Sequence, residues 1–574
     1  MKLVNRIVIL LLFFVVVACK TSPETADLVI LGGKIYTMDD QQALVQAVAV
    51  KDSRIIFAGS EEEGRKYIYH ETKIIDLQGK LMTPGFIEGH GHIMGIGYNE
   101  LELDLMSVKN YEELVALVKE AVAKAQPGQW ILGRGWHQDK WDHLPADMVK
   151  GFQTHHLLSA VSPENPVFLR HASGHAALAN AKAMEMGGVN QLTIEKMEAG
   201  GESEGGEIIR DRLGNPTGIF NERAMGSIAQ YIPANTAASD AQALELGLQS
   251  CLQNGITSFH DAGASANSIA LFKEFKKTGR LKVRLYVMLA GPRLAREWFT
   301  RGPEIDPEHF LTIRSIKLSC DGALGSRGAW LLEPYSDRTE TYGMATMSMD
   351  TVLKVARDAL KHGFQVCSHA IGDRANQEIL DRYEIVFNEN PEKSQDHRFR
   401  IEHVQHLHPD DIPRFATLGV IPAMQAIHMS SDRPWAIDRL GEKRIREGAY
   451  MWQSLLKSGA KIVNGTDAPV EPLNPIPSFY AAISRKTLRG VPEGGFEPEE
   501  KMTREQALRS YTLDAAFGAF QEHILGSIER GKYADFTVFS RDIMSIEEAG
   551  VLRAEIAMTI VGGQVLYENK SLKP

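Results

Sequence analysis

The feature that most restricts the fold of this chain is a unit that recurs through its middle: an amphipathic helix, a glycine, a buried strand, then a polar side chain. Ala241 to Asn254 places Leu244, Leu248, Cys251 and Leu252 at helical spacing, Gly255 stops it, and Ile256-Thr-Ser-Phe259 leads to His260-Asp261. Val352 to His362 stops at Gly363 before His369, Asp411 to Leu418 stops at Gly419, and Trp452 to Ser458 stops at Gly459 before Asp467. Glycine takes the left-handed conformation that closes a helix. Alternating helices and strands imply parallel strands joined by crossovers. Eight strands are read, at 84–92, 256–262, 283–289, 315–321, 364–370, 399–405, 420–425 and 461–467. They predict an α/β chain built on a (β/α)8 TIM barrel, whose chemistry gathers at the C-terminal ends of its strands.

Both ends of the chain read differently. Leu28–Leu31, Lys34–Thr37, Ala47–Val50, Arg54–Ala58 and Lys73–Asp76 are short strands between turn residues, and Ala534–Phe539, Ala557–Val561 and Gln564–Tyr567 repeat the style. We expect a small β-sandwich composed of 27–80 and 530–574, flanking a barrel domain of 81–529. Residues 105–235 interrupt the strand count and read as an insertion after the first barrel strand, where it would lie over the barrel mouth. Lys2 and Arg6 precede an apolar run, Ile7 to Val17, that ends in Val16-Val17-Ala18-Cys19. This is expected to be a lipoprotein signal peptide, 1–18, cut before a lipid-bearing Cys19, with 19–26 as tether. The expected place is the bacterial cell envelope, anchored by lipid and facing the periplasm. A formal net charge of -10 argues against nucleic acid as partner, and membrane contact is expected through the anchor only. The four cysteines form no Cys-x-x-Cys pair and suggest no disulfide framework.

Polar residues fall where a barrel would use them. Pro84-Gly-Phe-Ile-Glu-Gly-His-Gly-His92 ends a strand in two histidines with side chains on the same side. Lys317 lies in strand four, His369 ends strand five, His403 ends strand six and Asp467 ends strand eight. Singly, each has an ordinary structural explanation. Together they converge on one mouth, and four histidines with carboxylate-type oxygens suit zinc or a similar divalent ion.

With Gly255-Ile-Thr-Ser-Phe-His-Asp-Ala-Gly263, Asp321-Gly-Ala-Leu-Gly325, His369-Ala-Ile-Gly-Asp-Arg374, Ile401-Glu-His403, Gly465-Thr-Asp-Ala-Pro469 and Gly531-Lys-Tyr-Ala-Asp535, these motifs span almost the whole mature chain. In this order they resemble the amidohydrolase superfamily, in the amidohydrolase-3 branch that includes N-substituted formamide deformylases. The resemblance implies that His90, His92 and Asp467 bind one metal, His369 and His403 a second, and that Lys317, carboxylated from CO2, bridges them. One or two divalent ions are expected, zinc first among them. Two departures stand out: Glu88, where the family usually has aspartate, and Ala426, where proline is more usual.

The implied activity is hydrolysis of an amide-type C–N bond of a small molecule by a metal-bound hydroxide, with Asp467 as general base and acid. His428 would either stabilise the oxyanion or merely line the pocket. Arg170, His175, Trp136 and Trp330 are candidate substrate contacts. Two alternatives stay open: an ester, lactone or carbamate hydrolase at the same site, and a lipid-anchored solute-binding protein without turnover. The sequence leaves room for a homodimer.

Overall fold

The computed structural model describes residues 25–189 and 206–572. The expected signal peptide and Cys19 lie outside these residues. Eight parallel strands form the centre: β1 Phe86–Gly91, β2 Ile256–Ala264, β3 Arg284–Ala290, β4 Leu311–Ser319, β5 Gln365–Ala370, β6 Arg400–His403, β7 Ile421–Met424 and β8 Val463–Asn464. They pair in chain order. Their residues are almost all buried, as strands covered on both faces must be. The fold is a TIM barrel. The helices Met349–His362, Ile412–Leu418 and Trp452–Ser458 end at Gly363, Gly419 and Gly459, each left-handed with φ of 78°, 67° and 100°. The expected strands are all present, with shifted ends. Strand β4 stops at Ser319, so Cys320 and Asp321 belong to the loop beyond it.

The seam between β8 and β1 is closed by a buried side chain together with two backbone hydrogen bonds just beyond the strand ends. Glu88, on β1 and fully buried, accepts hydrogen bonds from Thr466 N at 2.7 Å, Thr466 Oγ1 at 2.9 Å and His90 N at 3.2 Å. Asp467 N donates to His90 O at 2.8 Å, and His92 N to Ala468 O at 2.7 Å. Gly465 is required there, since a Cβ would stand 2.3 Å from Glu88 Oε1. The segment that carries Asp467 is thus fastened to the segment that carries His90 and His92.

Two sheets at one side of the barrel draw strands from both termini. One runs Arg54–Gly59, Ala47–Lys51, Leu28–Leu31, Lys73–Asp76; the other runs Gln564–Glu568, Ile556–Val561, Phe536–Phe539, Leu81–Pro84, Lys34–Tyr36, Leu44–Val45. Leu28, Ile30 and Val48 of the first share a core with Ile35, Met82, Phe536 and Ile560 of the second. The strand Leu81–Pro84 runs on into β1, and Arg284 of β3 grips Asp535 at 2.6 Å, so this sandwich is tied to the barrel. The insertion after β1 carries a six-stranded sheet of its own, with strands from Leu103–Asp104 to Pro216–Glu222 and separate apolar cores.

Candidate metal centre and active-site cleft

The strand ends bring the expected ligands together. His92 Nε2 is 3.1 Å and His90 Nε2 3.6 Å from Asp467 Oδ1, and His403 Nδ1 is 3.9 Å from Asp467 Oδ2. Lys317 Nζ reaches His90 Nε2 at 3.0 Å. The rings of His369 and His403 lie 4.4 Å apart, and those of His90 and His403 4.8 Å. His403 and Asp467 both have positive φ, 76° and 58°. A non-glycine residue pays roughly 1–3 kcal/mol for such a backbone. Each is held by its neighbours: Val404 N donates to Ala370 O at 3.1 Å, and Asp467 N to His90 O.

A buried network behind the ligands fixes their protons. Glu402, with no solvent exposure, accepts from His90 Nδ1, and from Arg400 Nε at 2.7 Å and Nη2 at 2.8 Å. Arg400 also donates to Gly89 O at 2.7 Å and meets His260 Nδ1 at 3.0 Å. Burial, reinforced by Lys317, draws His90 down to about 4, so its ring is neutral near pH 7. With its Nδ1–H given to Glu402, its Nε2 lone pair faces the cleft. Likewise His403 is neutral, through burial and the neighbouring His369, and its Nδ1–H goes to Gln425 Oε1 at 2.8 Å. Burial pushes the Asp467 carboxyl up, but the His92 hydrogen bond and the His403 and His90 rings outweigh it and hold Asp467 well below the ordinary range. Burial lifts Glu88 to about 8 against three donors. Asp321 fastens the loop behind His369, accepting from Ile371 N at 3.0 Å, Gly372 N at 2.9 Å and Trp330 N at 3.0 Å.

These residues fit a divalent cation. Ligand atoms of His90, His92 and Asp467 all lie within 4.8 Å of one another. Asp467 Oδ1 faces the ring nitrogens of His92 and His90 at 3.1 and 3.6 Å, and His369 Nε2 lies 3.4 Å from Asp321 Oδ1. Imidazole nitrogens gathered on a buried carboxylate are the donor set that a zinc-type ion takes.

The centre lies where two lobes of one cleft meet. A wide lobe of about 1140 Å³ is lined by His92, Arg134, Glu222, Lys317 and Met347, among others. A narrow lobe of about 90 Å³ is lined by Gln138, Lys140, His171, His428, Trp435 and Glu471, among others. His175, His369, His403 and Asp467 border both. His175 holds Glu222 at 3.0 Å. His428 receives Gln405 Nε2 on Nδ1 at 2.9 Å, which leaves its Nε2–H without a protein partner in the narrow lobe.

The other expected substrate contacts stand elsewhere. Trp136 is fully buried in the insertion core, its Nε1 donating to Leu169 O at 2.8 Å. Arg170 lines neither lobe, nor does Trp330, which stacks under the Arg374 guanidinium at 4.7 Å. Sequence reasoning passed over Glu402, Arg400, Gln405, Gln425 and Arg134. One signal was available: opposite charges two apart in a buried strand, Arg400 and Glu402, share a face.

Comparison with known proteins agrees with this geometry. The model of the amidohydrolase family matches residues 73–567. The chain is 32% identical to Protein LONG AFTER FAR-RED 3 of Arabidopsis thaliana over 94% of its length and 92% of that protein's. It is 30% identical to the putative amidohydrolase YtcJ of Bacillus subtilis, covering 94% and 98%, and 27% identical to N-substituted formamide deformylase of Arthrobacter pascens, covering 95% and 99%. An uncharacterized metal-dependent hydrolase from Pyrococcus furiosus superposes with a TM-score of 0.70 at 29% identity, over 90% of this chain and 100% of that one. With its barrel and its His–Asp centre, the chain belongs to the amidohydrolase family, the metal-dependent hydrolases of carbon–nitrogen bonds.

Proposed function

We propose that this chain cleaves an amide-type C–N bond of a small molecule at the Asp467 centre. The observation that carries the reading is the place of Asp467: one buried carboxylate beside His90, His92 and His403, at the junction of both lobes. His90, His92 and Asp467 would hold a divalent ion, and His369, His403 and Lys317 a second; when bound, such ions would acidify a water and polarise the substrate carbonyl. Asp467, anionic at neutral pH, takes the proton of the attacking water. It then passes that proton to the leaving nitrogen, which departs as a neutral amine. The Nε2–H of His428 donates to the carbonyl oxygen as negative charge gathers there. Lys317 supports carboxylation by position: its buried Nζ sits among the candidate ligands with no carboxylate in ion-pair contact among the described residues. The ammonium would lose one proton, and its amine nitrogen would add to CO2 and lose a second, turning a cation into an anionic oxygen ligand.

The leader sequence alone supports a lipid on Cys19 and a place on the cell envelope, which we carry as a proposal. The test of the activity is elemental analysis of the protein purified with bicarbonate and without chelator, joined to turnover of N-acyl amines. About two ions per chain support the bridged centre with carboxylated Lys317; about one supports a single-ion hydrolase. No ion after zinc and manganese are supplied, together with no turnover, would overturn the reading.

A further inference from the structure

Arg134 stands apart from the other inward-facing arginines. Arg284, Arg400 and Arg433 each hold a carboxylate, at 2.6, 2.7 and 2.8 Å. Arg134 lines the wide lobe with His92, Lys317 and Asp467. Its Nη2 donates to Ala172 O at 3.0 Å, and its Nε is buried with no partner among the described residues. Among the described residues no carboxylate reaches it within ion-pair distance. The carboxylates whose fields reach it are Asp467 first and Glu102 after it, and Glu102 also answers to Arg170. A half-buried guanidinium with a buried open donor is stabilised by an anion that meets it, and its fork matches a carboxylate. Gly174, at φ +76°, puts no side chain between them: even an added Cβ would meet only Arg134 Nη2, at 3.8 Å.

We infer that Arg134 receives a carboxylate of the substrate in the wide lobe, so the amide cleaved at the Asp467 centre belongs to a carboxylate-bearing class such as N-acyl amino acids. The inference rests on the hydrolytic reading for the word amide, and on Arg134 alone for the carboxylate. Arg134 is a specificity residue: it selects which molecule is held, while the centre performs the reaction.

The test reads binding, not turnover. N-Methylsulfonylglycine and its carboxamide resist hydrolysis and differ only in the charged group. Each is titrated calorimetrically into the metal-loaded protein, its Arg134→Gln variant and its Arg134→Lys variant. The acid should bind the unaltered protein at least about tenfold tighter than the carboxamide. That advantage should fall to within about threefold in Arg134→Gln and stand between the two in Arg134→Lys. Equal binding of acid and carboxamide to the unaltered protein would overturn the inference. So would an advantage that survives in Arg134→Gln, because the acid would then sit on the metal or Lys317. If Arg134→Gln does not fold, Arg134→Lys decides: a reduced advantage supports the site and an undiminished one refutes it. A protein that selects the acid through Arg134 but cleaves no N-acyl amine would end the hydrolytic reading and leave the carboxylate site standing.

Discussion

Replacing Glu402 by Gln tests whether the network behind the ligands orients the metal centre. The substitution keeps the volume of a side chain with no exposure and removes its charge. Two losses follow, and they are separable. Arg400, also fully buried, keeps only Gly89 O and His260 as strong partners, and leaving a buried cation without its carboxylate costs about 3–5 kcal/mol. His90 loses the anionic acceptor of its Nδ1–H, which should weaken metal affinity by roughly 10- to 100-fold, or about 1.4–2.7 kcal/mol. Affinity is read by competition with a chromogenic chelator, and stability by the denaturant midpoint. The double variant Arg400→Met/Glu402→Gln removes the stranded cation. It should recover most of the midpoint and none of the affinity. A single variant that binds metal like the unaltered protein would refute the orienting role. A double variant no more stable than the single would refute the charge argument. The pH dependence has a defined sign: burial would raise Glu402, but Arg400 and His90 hold it well below its ordinary value. Its contribution is therefore complete above about pH 4.3 and is withdrawn as the pH falls through the folded-state value.

Glu88 should behave in the opposite sense. Its folded value of about 8 means the native state holds this proton longer than the unfolded chain, so its contribution is full below about pH 4.3 and lost as pH rises through 8. Glu88→Gln should flatten that decline in a series of thermal melts. Gly465→Ala would set a Cβ 2.3 Å from Glu88 Oε1 and 2.7 Å from His90 N; we expect a loss of about 1–3 kcal/mol and reduced metal content. Asp467→Asn should lower kcat by about 10²- to 10⁴-fold, measured at saturating metal so that weaker binding does not mimic it. Cys19→Ser should abolish incorporation of labelled palmitate in cells and release the chain from the membrane fraction.

The barrel was legible because its signals are local and repeated. A helix that ends at Gly363, Gly419 or Gly459 needs no distant partner to announce itself, and each glycine is left-handed in the structure. The convergence of the candidate ligands was legible because a barrel fixes where strand ends point. His90, His92, Lys317, His369, His403 and Asp467 reach one centre although up to 377 positions separate them in the chain. The seam was not legible. Glu88 read only as a departure from the family's aspartate, two residues before His90, and its contacts with Thr466 show that it fastens β1 to the segment after β8.

The insertion shows where reading by alternation fails. Arg134 and Trp136 lie two apart in one strand, Ile131–Trp136, and period two would point both to the same face. Gly135 stands between them at φ 114°, and the pairing with Val167–His171 slips at that point: Arg134 opposes Arg170, while Trp136 opposes His171. The slip sends the indole into the insertion core and leaves the guanidinium on the cleft. At β6 the register does not slip: left-handed His403 follows Glu402, which supports His90, and its own Nδ1 lies 3.9 Å from Asp467 Oδ2. A one-residue slip in a strand reverses the faces of the side chains beyond it. At Gly135 that slip lies beside the cleft, so alternation, which sends Trp136 to the mouth with Arg134, misplaces the indole and leaves only the guanidinium there.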